Sequence, residues 1–163
     1  MHFTQDDPEG ADAVAMIPSE SRRVVVSPGP GGALVAYDKI AVSVESDRFT
    51  ISDVWLTQGK QPTTDCAPGF ADWSLVPGDN GTTWRIVEFK AGHTSADITA
   101  GMHQTPTVDM GLILSGRIWL VLEDASVVEL TAGDFVVLRG VQHTWANPGK
   151  ESCLMSVVLV RSH

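Results

Sequence analysis

Short β-rich segments separated by strong turn signals are the feature that most constrains this chain. Segments rich in Val, Ile, Thr, Trp and Phe recur at near-even spacing, with turns such as PGPGG at 28–32 and PGDNG at 77–81 between them. No useful helical periodicity appears after about residue 20. The pattern predicts an all-β sandwich or barrel. The predicted strands span 23–27, 33–37, 48–56, 84–89, 101–107, 109–115, 117–123, 126–130, 134–138, 142–147 and 153–161.

Length and composition favour one domain. The chain has 163 residues, 43% of them hydrophobic, which is enough to bury one core. Residues 1–20 are interpreted as a loose arm and 21–163 as a single domain. The irregular stretch 57–83 contains Pro and Gly and is long for a connection, which favours a lid or binding loop.

Charge and targeting signals exclude several classes of partner. The formal net charge of −9 argues against nucleic-acid binding, which needs clustered Lys and Arg. No apolar run is long enough for a membrane span, and the acidic N-terminus does not resemble a signal peptide. The expected location is therefore the cytoplasm, and the expected partner is a small molecule.

The chemistry-bearing residues lie between Gly101 and Asn147. His103, Thr105, Thr107 and Asp109 are spaced by two, so on extended backbone an imidazole, two hydroxyls and a carboxylate would share a face. His143 begins a later strand and shares its face with Trp145. If the sheet closes into a barrel, the two strands can bring His143 opposite His103 and Asp109.

These residues resemble the two motifs of the cupin superfamily, G-x5-H-x-H-x3/4-E-x6-G and G-x5-P-x-G-x2-H-x3-N. The resemblance covers roughly 84–161. It implies a double-stranded β-helix, the jelly-roll barrel of RmlC-like cupins, and commonly a homodimer. The matching positions are His103, Asp109 at the glutamate position and Gly116 in the first motif, and Gly133, Gly140, His143 and Asn147 in the second.

The departures from the motifs concern the metal. By resemblance, a cupin metal is held by three histidines and one glutamate. Here Thr105 replaces the second histidine and Asp109 the longer glutamate, while Arg139 directly precedes Gly140 in place of a Pro-x pair. His103, Asp109 and His143 remain as metal candidates.

Three interpretations of this site stay open. Two histidines and a carboxylate suit one divalent metal (Fe, Mn, Zn or Ni), as in a mononuclear dioxygenase. The same residues without a metal suit acid/base catalysis of the lyase or isomerase type, with His103, Asp109 and His143 as catalytic groups. Dehydration, decarboxylation or cyclisation of a small aromatic or polyketide-like molecule would fit. The third interpretation is a non-catalytic barrel that binds a small molecule.

Three further residues are candidates for substrate binding. Thr105 shares the face of His103, and Trp145 can form an aromatic wall beside His143. Arg139 can bind a substrate carboxylate with two parallel hydrogen bonds.

Overall fold

The computed structural model describes residues 22–40, 43–58, 61–62, 74–94 and 97–161, and every regular element in these ranges is a β-strand. The all-β prediction is therefore confirmed. The proposed arm, 1–20, lies outside the described residues. The strands are β1 (Arg22–Gly29), β2 (Gly32–Ile40), β3 (Ser43–Glu45), β4 (Phe49–Gln58), β5 (Gln61–Pro62), β6 (Thr82–Phe89), β7 (Thr107–Ser115), β8 (Arg117–Leu122), β9 (Val127–Thr131), β10 (Phe135–Arg139), β11 (His143–Ala146) and β12 (Cys153–Arg161).

The strands form two facing sheets and one separate hairpin. The larger sheet has the order β10-β7-β12-β6-β4-β3, with β5 paired to β4, and the smaller has the order β11-β8-β9. β1 and β2 form the hairpin, and all pairings are antiparallel. Two isolated bridges, His93 with Asn147 and His103 with His143, join the segment between β6 and β7 to the small sheet.

The core lies between the two sheets because alternate side chains of each strand point inward. Ile113 of β7 meets Ile118 and Leu120 of β8 there, and the two isoleucines are at most 1% exposed. Burying one such side chain contributes about 1.5–3 kcal/mol. Toward one end of the barrel the inward residues become polar, and the cavity described below opens there.

One predicted strand, 101–107, is wrong. The chain turns at 98–101, makes an isolated bridge at His103, and becomes a strand at Thr107. Gly101 adopts a φ of 83°, which leaves the extended region, and Pro106 has no N–H to donate to a neighbouring strand. The short strands β3 and β5 were not predicted. The predicted loop 57–83 contains β5, the end of β4 and the start of β6, and its residues 59–60 and 63–73 lie outside the described residues.

None of the described residues forms a helix long and apolar enough to cross a membrane.

Candidate functional site

A cavity of about 150 Å³ lies inside the barrel, between the polar end of the large sheet and β11. Its walls are mainly aliphatic and aromatic, and the polar side chains gather on two sides. The lining residues are Phe49, Ile51, Leu75, Arg85, Val87, Phe89, His103, Thr105, Asp109, Gly111, Val136, Leu138, His143, Trp145, Met155, Val157 and Leu159. Such a pocket, apolar with a few converging polar groups, is the usual form of a small-molecule site.

The backbone holds His103 and His143 together. Each N–H donates to the other's carbonyl oxygen at 2.9 Å, and the ring centroids are 4.5 Å apart. Glycines with positive φ, Gly101 at 83° and Gly140 at 61°, turn the chain just before each histidine. The Gln104 side-chain amide donates to the Gly140 carbonyl at 2.6 Å and ties the two turns together. The spacing of the two imidazoles therefore depends on the main chain and not on the rings.

Each imidazole is held in one tautomer. Nδ1 of His103 lies 2.9 Å from the Gly101 carbonyl oxygen, and Nδ1 of His143 lies 3.0 Å from that of Val141. A carbonyl oxygen can only accept, so Nδ1 of each ring carries the proton and donates it. In the neutral form, Nε2 of each ring is then the nitrogen with the free lone pair. A base or a metal ligand needs that lone pair.

Burial favours the neutral form of His143. The residue is 3% exposed, and burial is the main cause that lowers its pKa from the ordinary value. The hydrogen bond to the Val141 carbonyl acts in the opposite direction, the positive charge of His103 lowers the pKa further, and the carboxylate of Asp109 raises it. His103 is only half-buried, so water can reach its side chain.

Asp109 ends a short polar chain. The Thr107 hydroxyl lies 2.7 Å from the Thr105 hydroxyl and is also hydrogen-bonded to Oδ1 of Asp109. A hydroxyl carries one proton, so with Asp109 ionised Thr107 donates to the carboxylate and accepts from Thr105. Thr105 and Asp109 line the cavity with His103, as the alternation along the sequence predicts.

Trp145 forms part of an aromatic wall. Its ring meets the His143 ring edge-on at 5.9 Å and lies 5.8 Å from the Phe89 ring. Phe49, which lies across from Phe89 in the register of β4 and β6, extends this wall. The flat surface beside the two imidazoles suits a planar, mainly apolar molecule.

Arg139 is not brought to this cavity, in contrast to the sequence-based expectation. Val136 and Leu138 of β10 point into the barrel, so Arg139 and Val137 point outward and are exposed. Strand alternation places Arg139 on the opposite face from its neighbour Leu138, which excludes the expected contact.

Sequence reasoning missed Arg85 and Asp53. The two are cross-strand partners on β6 and β4, and Nε of Arg85 lies 2.9 Å from Oδ1 of Asp53 in an ion pair. Their side chains are 3% and 5% exposed, and Arg85 lines the cavity. A signal was present, because Arg85 has the same parity as Val87 and Phe89, which the alternation of β6 places in the core.

The residues present do not fit a resident metal held by three protein side chains. Within the ranges that the structure describes, no group of three His, Cys, Asp or Glu side chains is arranged to hold a metal ion. Thr105, a weak ligand, stands two residues after His103, and its hydroxyl is hydrogen-bonded to that of Thr107.

Comparisons with known proteins agree with this architecture. The model of the cupin domain family matches residues 85–160. Phomopsin biosynthesis cluster protein D of Diaporthe leptostromiformis is 39% identical over 73 residues, 45% of this chain and 35% of that protein. Oryzines biosynthesis cluster protein J of Aspergillus oryzae is 33% identical over 76 residues, 47% of this chain and 38% of that protein. The match thus spans little more than a third of the length of these curated relatives.

A solved structure shares the fold. It is an uncharacterised conserved protein with a double-stranded β-helix domain from Klebsiella pneumoniae, 18% identical, with a TM-score of 0.50 over 72% of this chain and 81% of that one. At this identity the likeness concerns the fold alone. Together with the family match and the two sheets, it shows the expected architecture, and residues 85–160 of the chain belong to the cupin domain family.

Proposed function

We propose that this cupin is an enzyme of the lyase or isomerase type that uses His103 and His143 as an acid/base pair on a small molecule in the cavity. The observation that carries the proposal is the pair of rings 4.5 Å apart whose Nδ1 atoms are both bound to backbone carbonyls. The Nε2 atom of each ring is thereby left for proton transfer in an apolar pocket.

The two rings take different roles, one as base and one as acid, because they repel each other when both are protonated. A single proton on the pair is therefore favoured over two. Burial lowers the pKa of His143, which suits this ring to the role of base, and we assign the role of acid to His103, which lies nearer to water. Asp109, a buried carboxylate fixed by Thr107, stabilises the positive charge on the pair.

A dehydration illustrates the proton balance. Nε2 of His143 accepts the proton from the carbon next to a carbonyl group, the carbon–oxygen bond at the neighbouring carbon breaks, and Nε2–H of His103 protonates the departing hydroxide. The products are an alkene and water, and one proton has moved from the carbon to the pair while another has moved from the pair to the leaving group. Exchange with water through His103 restores the starting state.

The relatives support a role with small organic compounds. The matched proteins are named for the phomopsin and oryzine biosynthesis clusters. We therefore place this chain in a biosynthetic pathway, with a substrate that the aromatic wall of Phe49, Phe89 and Trp145 can hold.

Deuterium exchange tests the proposal with simple compounds in place of the natural substrate. A panel of small ring-containing carbonyl compounds is incubated in D2O with EDTA-treated protein, and deuterium at the carbon next to the carbonyl is measured by mass spectrometry. The wild type is expected to catalyse exchange. His143→Asn is expected to lower the rate about 10²–10⁴-fold, the usual contribution of a general base.

A matched control is His93→Asn, because His93 packs on Phe89 but does not line the cavity. This variant is expected to exchange like the wild type. Panel members that bind to the wild type without exchanging would favour a binding protein and overturn the proposal. Exchange that disappears in EDTA and returns with a divalent metal would overturn the metal-free form of it.

We also propose a homodimer through the outer face of the large sheet. Val137, Met110, Val158 and Trp84 are successive partners in the register across β10, β7, β12 and β6, and three of them are 43–60% exposed. Such an apolar row favours burial against a second copy. Val137→Glu is expected to give a monomer by light scattering. Val127→Glu, on the small sheet at 42% exposure, is the matched control.

A further inference from the structure

Arg85 links the cavity to the segment that precedes β6. Besides its ion pair with Asp53, NH1 donates to the Leu75 carbonyl at 3.0 Å and NH2 to the Ser74 carbonyl at 3.2 Å. The guanidinium is planar and presents its donors in a fixed fork, so the Asp53 contact on Nε also orients the two terminal nitrogens. One buried side chain thereby positions two consecutive backbone carbonyls.

Leu75 is the residue that these contacts place at the cavity. It lines the cavity although it is 43% exposed, which is unusual for leucine and locates it at the boundary between cavity and solvent. The other end of the segment is held separately, because Arg161 contacts the Pro77 carbonyl at 3.4 Å and the Asp79 carboxylate at 3.3 Å. Arg85 therefore governs the position of Leu75, and Arg161 that of the following turn.

We propose that Leu75, held in place by Arg85 and Asp53, limits the ligands of this cavity to molecules with a single ring. A cavity of about 150 Å³ lined by apolar side chains has the size that accepts benzene in an engineered protein. A second fused ring must occupy space at the mouth, where the Leu75 side chain stands. The inference rests on the proposed function in one respect, that this cavity is where the small molecule binds.

Phenol and 2-naphthol are the probes, with binding measured by ligand-observed NMR and calorimetry. The wild type is expected to bind phenol and to bind 2-naphthol at least about tenfold more weakly than Leu75→Ala does, because the lost isopropyl group leaves room for the apolar second ring. Leu114→Ala is the matched control, since Leu114 is 38% exposed on β7 and does not line the cavity. It is expected to keep the wild-type ratio of the two affinities.

Arg85→Lys tests whether Arg85 acts through Leu75. Lysine keeps a positive charge for Asp53 but cannot offer a fork to the Ser74 and Leu75 carbonyls. We expect this variant to raise the relative affinity for 2-naphthol, and the double variant with Leu75→Ala to show no further gain. Effects that multiply in the double variant would show that Arg85 acts on the ligand directly and would overturn the positioning role.

The failures of the two proposals are distinguishable. An unchanged affinity ratio in Leu75→Ala overturns the size limit, whatever the deuterium-exchange assay shows. A wild type that binds 2-naphthol as well as phenol also overturns it, as does a wild type that binds neither. If the size limit fails but the wild type catalyses deuterium exchange, the acid/base proposal stands. If the size limit holds but no exchange is catalysed, Leu75 is the selectivity residue of a binding protein.

Discussion

Replacing Arg85 by methionine leaves Asp53 without its ion-pair partner in a place almost closed to water. The Asp53 side chain is 5% exposed, and Arg85 is its partner at 2.9 Å. Removing one member of a buried pair destabilises a protein by about 3–5 kcal/mol, because the remaining charge is neither hydrated nor compensated. For a chain of this size, each 1 kcal/mol lowers Tm by about 2–4 °C, so we expect a decrease of roughly 6–20 °C.

The loss of stability in Arg85→Met is expected to depend on pH. Burial raises the pKa of Asp53 above its usual value even beside Arg85, and removing the guanidinium removes the influence that lowers it. The folded variant then binds a proton more tightly than the unfolded chain, so its stability decreases as pH rises from about 4, the ordinary value for aspartate, through the folded pKa. The destabilisation should be smaller near pH 5 than at pH 7.5.

Urea unfolding followed by tryptophan fluorescence measures both effects, with an unchanged m-value as the check on two-state behaviour. The control is the double variant Asp53→Leu with Arg85→Met, which replaces the pair by apolar side chains. We expect it to regain most of the stability lost in the single variant and to lose the part of the pH dependence that Asp53 causes. A single variant that loses less than about 1 kcal/mol, or a double variant less stable than the single one, would refute the reasoning.

Three other predictions concern single residues. Burial lowers the pKa of His143, so the unfolded chain binds a proton more tightly than the folded one, and the free energy of unfolding of the wild type should decrease as pH falls through about 6.5. In His143→Asn, the free energies of unfolding measured in urea at pH 7.5 and at pH 5.5 should differ less than in the wild type. Gly116→Ala should destabilise the protein far more than Gly133→Ala in the same assay. A Cβ at 116 would lie 2.5 Å from the Ser152 carbonyl oxygen. A Cβ at 133 would meet open space, so only the strain of a positive φ, roughly 1–2 kcal/mol, remains there. Cys153 is buried and its pKa is raised to about 11, so iodoacetamide at pH 8 should label it only in denaturant, as seen by mass spectrometry; rapid labelling of the folded protein would contradict the burial.

Alternation along single strands accounts for most of what the sequence could predict. It placed His103, Thr105 and Asp109 on one face, and the structure puts all three at the cavity although the extended strand starts only at Thr107. The same alternation sets Arg139 outward, which the expectation of a carboxylate contact overlooked.

Features that depend on two strands at once could not be predicted. The Asp53–Arg85 pair requires the register of β4 against β6, which shifts at a bulge between Asp53 and Trp55, and neither strand reveals that shift by itself. The strands β3 and β5, three and two residues long, are too short to show any periodicity.

The reciprocal main-chain bonds between residues 103 and 143 have a consequence for how this site can change. Since these hydrogen bonds join backbone atoms only, replacing either side chain changes the functional group and leaves the backbone that positions it unchanged. The same scaffold can therefore present other pairs of functional groups at a fixed separation, and chemistry can diverge here without any rebuilding of the barrel.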